Sequence, residues 1–178
     1  MQIGVDVGGT KIEAAAINSQ GDIVLRRRIA TPQTNYVAAV EAIGELIQTL
    51  LKEVGRPCSV GIGIPGAISP VTGRVKNAPN SPFNGFPLDK DIEARLQQPI
   101  RVMNDANCFA LSEATDGAAA GRNVVFGVIL GTGCGGGIVI DGKLLMGPNA
   151  IAGEWGHNPM PWAQEEERLG PQCGCGKV

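Results

Sequence analysis

A strand–glycine turn–strand pattern occurs twice in this chain, and this repetition limits the possible folds more than any other feature. Phe126–Gly133 repeats Ile3–Thr10 at a constant offset, with Gly8 falling on Gly131. Internal repeats are weighed before local motifs, because they report the architecture of the whole chain. Two such turns facing each other would hold a polyphosphate from both sides. The repeat therefore predicts a duplicated unit with a ligand between its copies.

The first turn contains the residue types that bind phosphate. Gly8 and Gly9 allow backbone torsions that side chains would block, so several main-chain N–H groups can face one anion. Thr10 and Lys11 add a hydroxyl and a positive charge, and Asp6 is placed to hold a hydrated metal ion against the anion. The alternative is an ordinary Gly-Gly hairpin with a surface lysine. The turn alone favours neither interpretation.

The second turn, Gly131–Gly137, formally contains the spacing G-x-G-x-x-G. A dinucleotide-binding fold requires a helix directly after this motif. Here the β-rich Ile138–Ile140 follows and leads through Asp141-Gly142 into a hairpin, so we reject the Rossmann interpretation. A P-loop motif is also absent from the sequence. A duplicated α/β fold with two phosphate turns is the plan of the actin, hexokinase and Hsp70-type ATPases, although fold analogy alone assigns no reaction.

The segment between the turns alternates helix and strand. Apolar residues at helical spacing, among them Val37, predict a helix over residues 34–54, and a buried strand follows over 59–64, which indicates a parallel sheet. Residues 65–87 form a long loop beyond the strand ends, where ligands bind in open α/β sheets. Its polar residues are candidates for contacts with a polyol, although each is equally consistent with a turn former. They are Asn77, Asn80, Ser81 and Asn84.

Asp105 stands where a strand ends and a helix begins. The strand over 99–103 ends in Asn104-Asp105, and an alanine-rich helix follows. One interpretation is a helix cap, for which Asn and Asp are preferred. The other is a general base beside a bound substrate. Small residues from Asp116 to Arg122 predict a hinge, which divides the chain into domains 1–118 and 119–178.

Composition and charge exclude several classes of protein. The formal net charge is -2, and the only basic cluster, Arg26-Arg27-Arg28, alternates into an apolar strand, so we expect no nucleic-acid partner. No apolar run reaches the roughly 20 residues of a membrane span. Met1 leads directly into the first strand without a leader-like segment, so we expect a cytoplasmic protein without a membrane partner.

His157, Cys173 and Cys175 are candidate metal ligands. A C-x-C pair in a cytoplasmic chain favours metal binding over a disulfide. These residues supply three ligands, whereas structural zinc sites need four. The sequence therefore predicts an incomplete zinc site near residue 175.

Five motifs in order make the chain resemble sugar kinases of the ROK family (repressors, open reading frames and kinases). The missing helix-turn-helix before the first strand favours the kinases over the repressors. Within the kinases, Gly66–Pro70 and Val75–Ala78 look most like bacterial fructokinases of the fructo(manno)kinase type, with N-acetylglucosamine kinase as the alternative. The matching motifs are Asp6–Lys11, Asn104–Asn107, Gly131–Gly137, Glu154–His157 and Cys173–Gly176.

The resemblance implies an actin-like ATPase (ribonuclease H-like) fold, a duplicated α/β domain with the second domain incomplete, and ATP-dependent phosphorylation of a hexose at its 6-hydroxyl. Fructose is the first choice, and N-acetylglucosamine or glucose are alternatives. Asp105 would accept the proton of the sugar hydroxyl. The implied sugar contacts are Asn104, Glu154 and His157, to which the loop adds Asn80. The implied ATP phosphate contacts are Gly8, Gly9, Thr10, Lys11, Thr132 and Gly133, with Asp6 near Mg²⁺ and His157, Cys173 and Cys175 on Zn²⁺.

The chain departs from the family pattern at its end, because family members run well past residue 178. We therefore expect a fragment with little kinase activity of its own. An exposed remnant sheet could pair with another chain, so we expect a homodimer. Two other classes stay open: a sugar sensor without turnover, and an actin-like ATPase with a different substrate. Asp105 argues against the first, and Asp105 together with Glu154 and His157 argues against the second.

Overall fold

The computed structural model describes residues 1–78, 81–131, 133–168 and 170, in which strands and helices alternate. The strands are β1 (Gln2–Val7), β2 (Lys11–Ile17), β3 (Ile23–Ala30), β4 (Ser59–Ile64), β5 (Ala67–Ile68), β6 (Val75–Lys76), β7 (Arg101–Asn104), β8 (Val124–Leu130), β9 (Cys134–Ile140) and β10 (Lys143–Leu144). The helices are α1 (Tyr36–Val54), α2 (Leu88–Leu96) and α3 (Asp105–Thr115), with a 3-10 helix at Glu165–Glu167.

A mixed five-stranded sheet in the order β3-β2-β1-β4-β7 forms the first lobe. β1 pairs antiparallel with β2 and parallel with β4, and β4 pairs parallel with β7. This confirms the predicted parallel sheet after the first hairpin. The carboxyl ends of β1, β4 and β7 meet at one end of the sheet, so Asp6 and Asn104 both lie at that end.

Helix α1 covers one face of this sheet. Asn35 caps its first turn by accepting a hydrogen bond from the Ala38 N–H at 3.0 Å, and Gly55 ends it with a φ of 68°. The helix thus ends at the predicted residue. The helical spacing places Val37 in the apolar stripe, but Val37 is 66% exposed. The buried residues of α1 begin only at Ala39.

The described residues of the predicted 65–87 loop include the short β5–β6 hairpin. Phe83 lies in the core, and the Phe86 ring stacks on Tyr36 with centroids 3.9 Å apart. Asn84 donates to and accepts from the Ala78 backbone, at 2.8 and 2.9 Å. Asn84 is therefore a turn residue rather than a sugar contact. Asn80 lies outside the described residues.

A second sheet of order β10-β9-β8 begins the second unit. Its β8–β9 hairpin repeats the β1–β2 hairpin, but the two turns differ in length. Residues 8–11 lie between the last paired residues of the first hairpin, and 131–133 lie between those of the second. Asp141 and Gly142 both have positive φ and connect β9 to β10, as the Asp-Gly pair predicts.

Helix α3 packs on this second sheet. Ala110 is buried with Val125 of β8 and Val139 of β9, in a small cluster separate from the main core. Its first turn meanwhile lies against β4, since a Cβ on Gly63 would be 3.8 Å from the Asp105 Cα. The helix therefore joins the two sheets. Within the described ranges, no helix is long and apolar enough to span a membrane.

Candidate active site

Asn104 fixes the start of α3. Its side-chain oxygen accepts a hydrogen bond from the Asn107 N–H at 3.0 Å, while its amide nitrogen donates to the Gly66 carbonyl at 3.0 Å and to Asp105 Oδ1 at 3.1 Å. The residue is buried, and these contacts are all within the protein. Asn104 thus connects the loop after β4 to Asp105. Its predicted contact with a sugar stays a prediction.

Asp105 lies at the N-terminus of α3, with its carboxylate oriented by the backbone. Oδ1 accepts a hydrogen bond from the Ala106 N–H at 2.8 Å. Partial burial raises the pKa of Asp105, the Asp6 carboxylate raises it further, and the Ala106 N–H opposes both effects. A carboxylate of raised basicity that still reaches solvent on one side is suited to accept a proton from an approaching hydroxyl.

Asp6 and Glu154 lie near enough to Asp105 to share its electrostatic environment. The pKa of Asp6 is raised by burial and by Glu13, and Lys11 lowers it. The pKa of Glu154 is raised by burial and then by Asp105, while His157 lowers it. Residues from β1, α3 and the loop after β10 therefore converge, as a common site requires. Clusters of perturbed carboxylates mark functional sites more often than chance.

A divalent cation fits this arrangement only together with other oxygen ligands. Across the described residues, no group of three His, Cys, Asp or Glu side chains is arranged to hold a metal ion. Mg²⁺ is usually held by one or two carboxylates plus substrate phosphates and water. Asp6, next to the turn that the sequence predicts to bind phosphate, matches that ligand chemistry.

The first glycine turn is closed by its own backbone. The Gly8 N–H donates to the Lys11 carbonyl at 2.9 Å, so this N–H is already used. A Cβ on Gly8 would lie 3.1 Å from the same carbonyl oxygen, which accounts for the glycine. Of the N–H groups predicted to face an anion, that of Gly8 therefore already has a partner within the turn. Gly9 and Thr10 carry the N–H groups best placed for that role.

The segment after β3 orients this turn, although no sequence motif marks it. The Thr31 hydroxyl donates to the Gly8 carbonyl at 2.7 Å, and the Thr31 N–H donates to the Thr10 carbonyl at 3.1 Å. The Gln33 amide donates to the Gly9 carbonyl at 2.8 Å. Because a trans peptide unit directs its C=O and N–H in opposite directions, these contacts turn the N–H groups of Gly9 and Thr10 the other way.

The second glycine run allows α3 and β9 to pack closely. The Gly131 N–H donates to the Gly133 carbonyl at 2.9 Å, and Thr132 lies outside the described residues. A Cβ on Gly137 would lie 2.8 Å from Asn107 Oδ1 and 2.9 Å from the Ala110 Cβ. The glycine there lets α3 approach β9. Phosphate binding by Thr132 and Gly133, the role predicted for this turn, stays a prediction.

The loop that carries Glu154 and His157 is fixed to both lobes. Lys76 Nζ from β6 donates to the Asn149 carbonyl at 2.7 Å, and the Trp155 indole N–H donates to the Gly135 carbonyl at 2.8 Å. These contacts place Glu154 beside the second turn. The predicted zinc site is only partly described, because Cys173 and Cys175 lie outside the described residues.

An open depression of about 610 Å³ lies at the end of the first sheet that is opposite Asp6. It is lined by Gln2 at the start of β1 and by the turn at Asn18–Gly21. Asp6 lies at the opposite end of β1, so the depression is separate from the carboxylates described above. Its walls also include Ser112 and Asp116 at the end of α3, and this mixture of residues indicates no particular ligand.

The chain matches the ROK family profile over residues 2–178. It is 44% identical over 179 residues to an N-acetyl-D-glucosamine kinase of Vibrio cholerae serotype O1, an alignment that covers 99% of this chain and 59% of that protein. It is 41% identical over 183 residues to the enzyme of the same name from Salmonella paratyphi C, an alignment that covers 100% and 60%. The chain therefore spans about three fifths of the length of these relatives.

A solved structure supports the fold. The crystal structure of a ROK family glucokinase from Streptomyces griseus, in complex with glucose and AMPPNP, superposes with a TM-score of 0.84 at 37% identity. The match covers 99% of this chain and 54% of that one. This confirms the predicted α/β fold of the actin-like ATPase (ribonuclease H-like) type.

Proposed function

The chain belongs to the ROK family, and from this membership we propose that the protein is an ATP-dependent kinase that phosphorylates a hexose at its 6-hydroxyl. The observation that supports this most is the position of Asp105 at the start of α3. There burial and, to a smaller extent, the Asp6 carboxylate raise the pKa of Asp105, and burial together with Asp105 raises the pKa of Glu154. A binding protein has no need of a carboxylate of raised basicity at this place. A phosphotransferase needs one to deprotonate the acceptor hydroxyl.

In the proposed reaction, Asp105 accepts the proton of the sugar hydroxyl as the hydroxyl oxygen attacks the terminal phosphorus of ATP. The bond between that phosphorus and its bridging oxygen breaks, and ADP leaves. Catalysis of phosphoryl transfer depends mostly on positioning and charge stabilisation. The N–H groups of Gly9 and Thr10 and the Lys11 ammonium would hold the phosphates, with Thr132 and Gly133 on the other side. Mg²⁺ neutralises phosphate charge when bound, and Asp6 is the residue that would contact it.

The names of the relatives favour N-acetylglucosamine as the sugar. Two of them, at 44% and 41% identity, are called N-acetyl-D-glucosamine kinases, and the similar crystal structure is a glucokinase with bound glucose. The motifs of the long loop favour fructose instead. These relatives give fructose no specific support, so we place N-acetylglucosamine first, glucose second and fructose third. The proposed contacts to the hydroxyls of the sugar are Glu154, His157, Asn104 and Asn80.

Three further predictions concern zinc, a homodimer and nucleic acid, and the described residues do not test them. Zn²⁺ would be held by His157, Cys173 and Cys175 with a ligand from elsewhere, and of these only His157 is described. The homodimer and the absence of a nucleic-acid partner also stay predictions. A sugar sensor on the same scaffold is the alternative function, and Asp105 argues against it.

The proposal is tested by Asp105→Asn in the full-length protein that carries this sequence. The amide keeps the size of the side chain and its contact with the Ala106 N–H, but it cannot accept the hydroxyl proton. We expect kcat to fall by about 10²–10⁴-fold while the sugar dissociation constant stays within about threefold. Asp141→Asn, in the β9–β10 turn, is the matched control and should leave both unchanged. Undiminished turnover by Asp105→Asn would remove Asp105 from the reaction.

A further inference from the structure

The loop over residues 153–156 lies directly against the start of β9. A Cβ on Gly153 would be 2.9 Å from the Gly137 Cα and 3.0 Å from the Gly136 carbonyl oxygen. A Cβ on Gly156 would overlap the backbone of Cys134. Glycines on both sides thus let the two backbones touch without intervening side chains. Such direct contact transmits displacement, because a close-packed interface has little free volume to absorb it.

Trp155 gives this interface a directional contact. Its indole N–H donates to the Gly135 carbonyl at 2.8 Å, and its ring is partly buried. On the neighbouring residue, both carboxylate oxygens of Glu154 lie 3.9 Å from the position that a Cβ on Gly135 would occupy. The same position is 3.4 Å from the Ala106 Cβ, next to Asp105. The hydrogen bond from Trp155 to the Gly135 carbonyl therefore helps to fix the position of the adjacent Glu154.

We propose that Trp155 is a positioning residue that holds Glu154 over Gly135 and thereby makes sugar binding and nucleotide binding depend on each other. The inference rests on the proposed function, in which Glu154 contacts the sugar and the turn before Gly135 contacts the ATP phosphates. Gly135 is the second residue of β9, directly after that turn. A phosphate bound at the turn shifts the start of β9 and with it the Gly135 carbonyl, and the indole N–H transmits the shift to Glu154.

Such coupling is reciprocal by thermodynamic necessity. If a nucleotide tightens sugar binding by some factor, the sugar tightens nucleotide binding by the same factor. The factor is limited by the contact that carries it. One neutral hydrogen bond corresponds to about two- to tenfold in affinity.

The test compares Trp155→Phe with Trp162→Phe in the full-length protein. Phenylalanine keeps an aromatic ring at 155 but removes the N–H, while Trp162 is 94% exposed and serves as the control. We expect Trp155→Phe to raise the KM for N-acetylglucosamine about two- to tenfold, with kcat within about twofold. The dissociation constant of the sugar should also become the same with and without Mg-AMPPNP, whereas in the control it stays lower with the nucleotide.

A second measurement does not depend on the folding of Trp155→Phe. In Trp162→Phe, Trp155 is the only tryptophan of the 178 residues, since the chain contains two. Its emission should change when Mg-AMPPNP is added without sugar, recorded on this chain or on a longer form with further tryptophans replaced. An unchanged emission on saturation with Mg-AMPPNP, or equal KM and coupling in the two variants, overturns the inference.

The outcomes separate this inference from the proposed function. Sugar-dependent turnover with no special effect at Trp155 leaves the kinase intact and removes the coupling role. If sugar and nucleotide binding depend on each other through Trp155 but the wild type shows no turnover, the coupling role stands and the protein is a sensor. Binding of neither ligand by the wild type rejects both.

Discussion

The fold holds the three carboxylates of the site in surroundings that disfavour their ionised forms. Asp105, Asp6 and Glu154 come from separate parts of the chain, and burial together with a neighbouring carboxylate raises the pKa of Asp105 and of Glu154. The folded protein therefore tolerates unfavourable charge at this place. An arrangement of this kind is typical of functional sites, where activity opposes stability.

The burial of the Asp105 carboxylate, with the Asp6 charge nearby, predicts that Asp105→Asn stabilises the free protein. The folded-state pKa of Asp105 lies above its ordinary value, so ionisation is less favourable in the folded than in the unfolded chain. The amide removes this cost at neutral pH. The gain should shrink as the pH falls through the folded-state pKa and should vanish below the unfolded value. Denaturant unfolding of the 178-residue chain between pH 7 and pH 3 measures it.

The control for this prediction is Asp141→Asn, because asparagine also suits the positive φ of that turn position. It should change stability by less than about 0.5 kcal/mol at each pH. A loss of stability in Asp105→Asn at neutral pH would contradict the account of a repulsive site.

Single residues differ in how far the sequence predicts them. Asp6 and Asp105 are predictable because Asp6 lies near the end of a strand and Asp105 directly follows one, and the apolar pattern of both strands is visible in the sequence. The contacts of Thr31, Gln33 and Trp155 are not, because their partners are backbone carbonyls of distant segments. A side chain that contacts a carbonyl leaves no pattern in the partner's sequence, so nothing marks it before the chain is folded.

At the scale of elements, the approach of α3 to β9 depends on small residues on both sides. Ala106 and Ala110 face Gly137, whose missing side chain leaves the space that the helix occupies. The sequence patterns predict both elements correctly. They do not predict that the two touch, since alanine-rich helices and glycine-rich strands occur in many packing arrangements.

Gly137→Ala should weaken this contact. Its methyl group would lie 2.8 Å from Asn107 Oδ1 and 3.0 Å from the Ala106 carbonyl oxygen, so the helix must move away from the strand. Overpacking of this kind costs about 1–3 kcal/mol. Urea unfolding of the 178-residue chain should show the loss, and Gly133→Ala, whose Cβ would meet nothing within 4 Å, should not. Equal midpoints for the two variants would contradict the packing account.

At the scale of the whole molecule, the repeated hairpin organises both lobes, and α3 joins them. The repeat is predictable because glycine and apolar positions recur at one offset. The difference in turn length is not, because a one-residue change in pairing leaves that offset intact. The boundary between residues 118 and 119 stays a proposal. Helix α3 precedes that boundary but is buried against Val125 and Val139, which follow it.

This packing predicts how residues 1–118 behave when they are expressed alone. The main core lies wholly before the boundary and includes Ile43 of α1 and Ile62 of β4, so the first sheet should fold. Helix α3 would lose its cover. Hydrogen exchange should show α1 and β4 protected as in the longer chain, while the amides of α3 exchange faster. Equal protection of α3 in both would show that the second sheet does not stabilise it.

Sugar-dependent ADP release tests the central claim most directly. The full-length protein is supplied with Mg-ATP and, in turn, N-acetylglucosamine, glucose, fructose or no sugar. We expect ADP release to require a sugar, to be fastest with N-acetylglucosamine and to fall by about 10²–10⁴-fold in Asp105→Asn. Release that is independent of every sugar, or absent with all of them, would contradict the proposal that this protein is a sugar kinase.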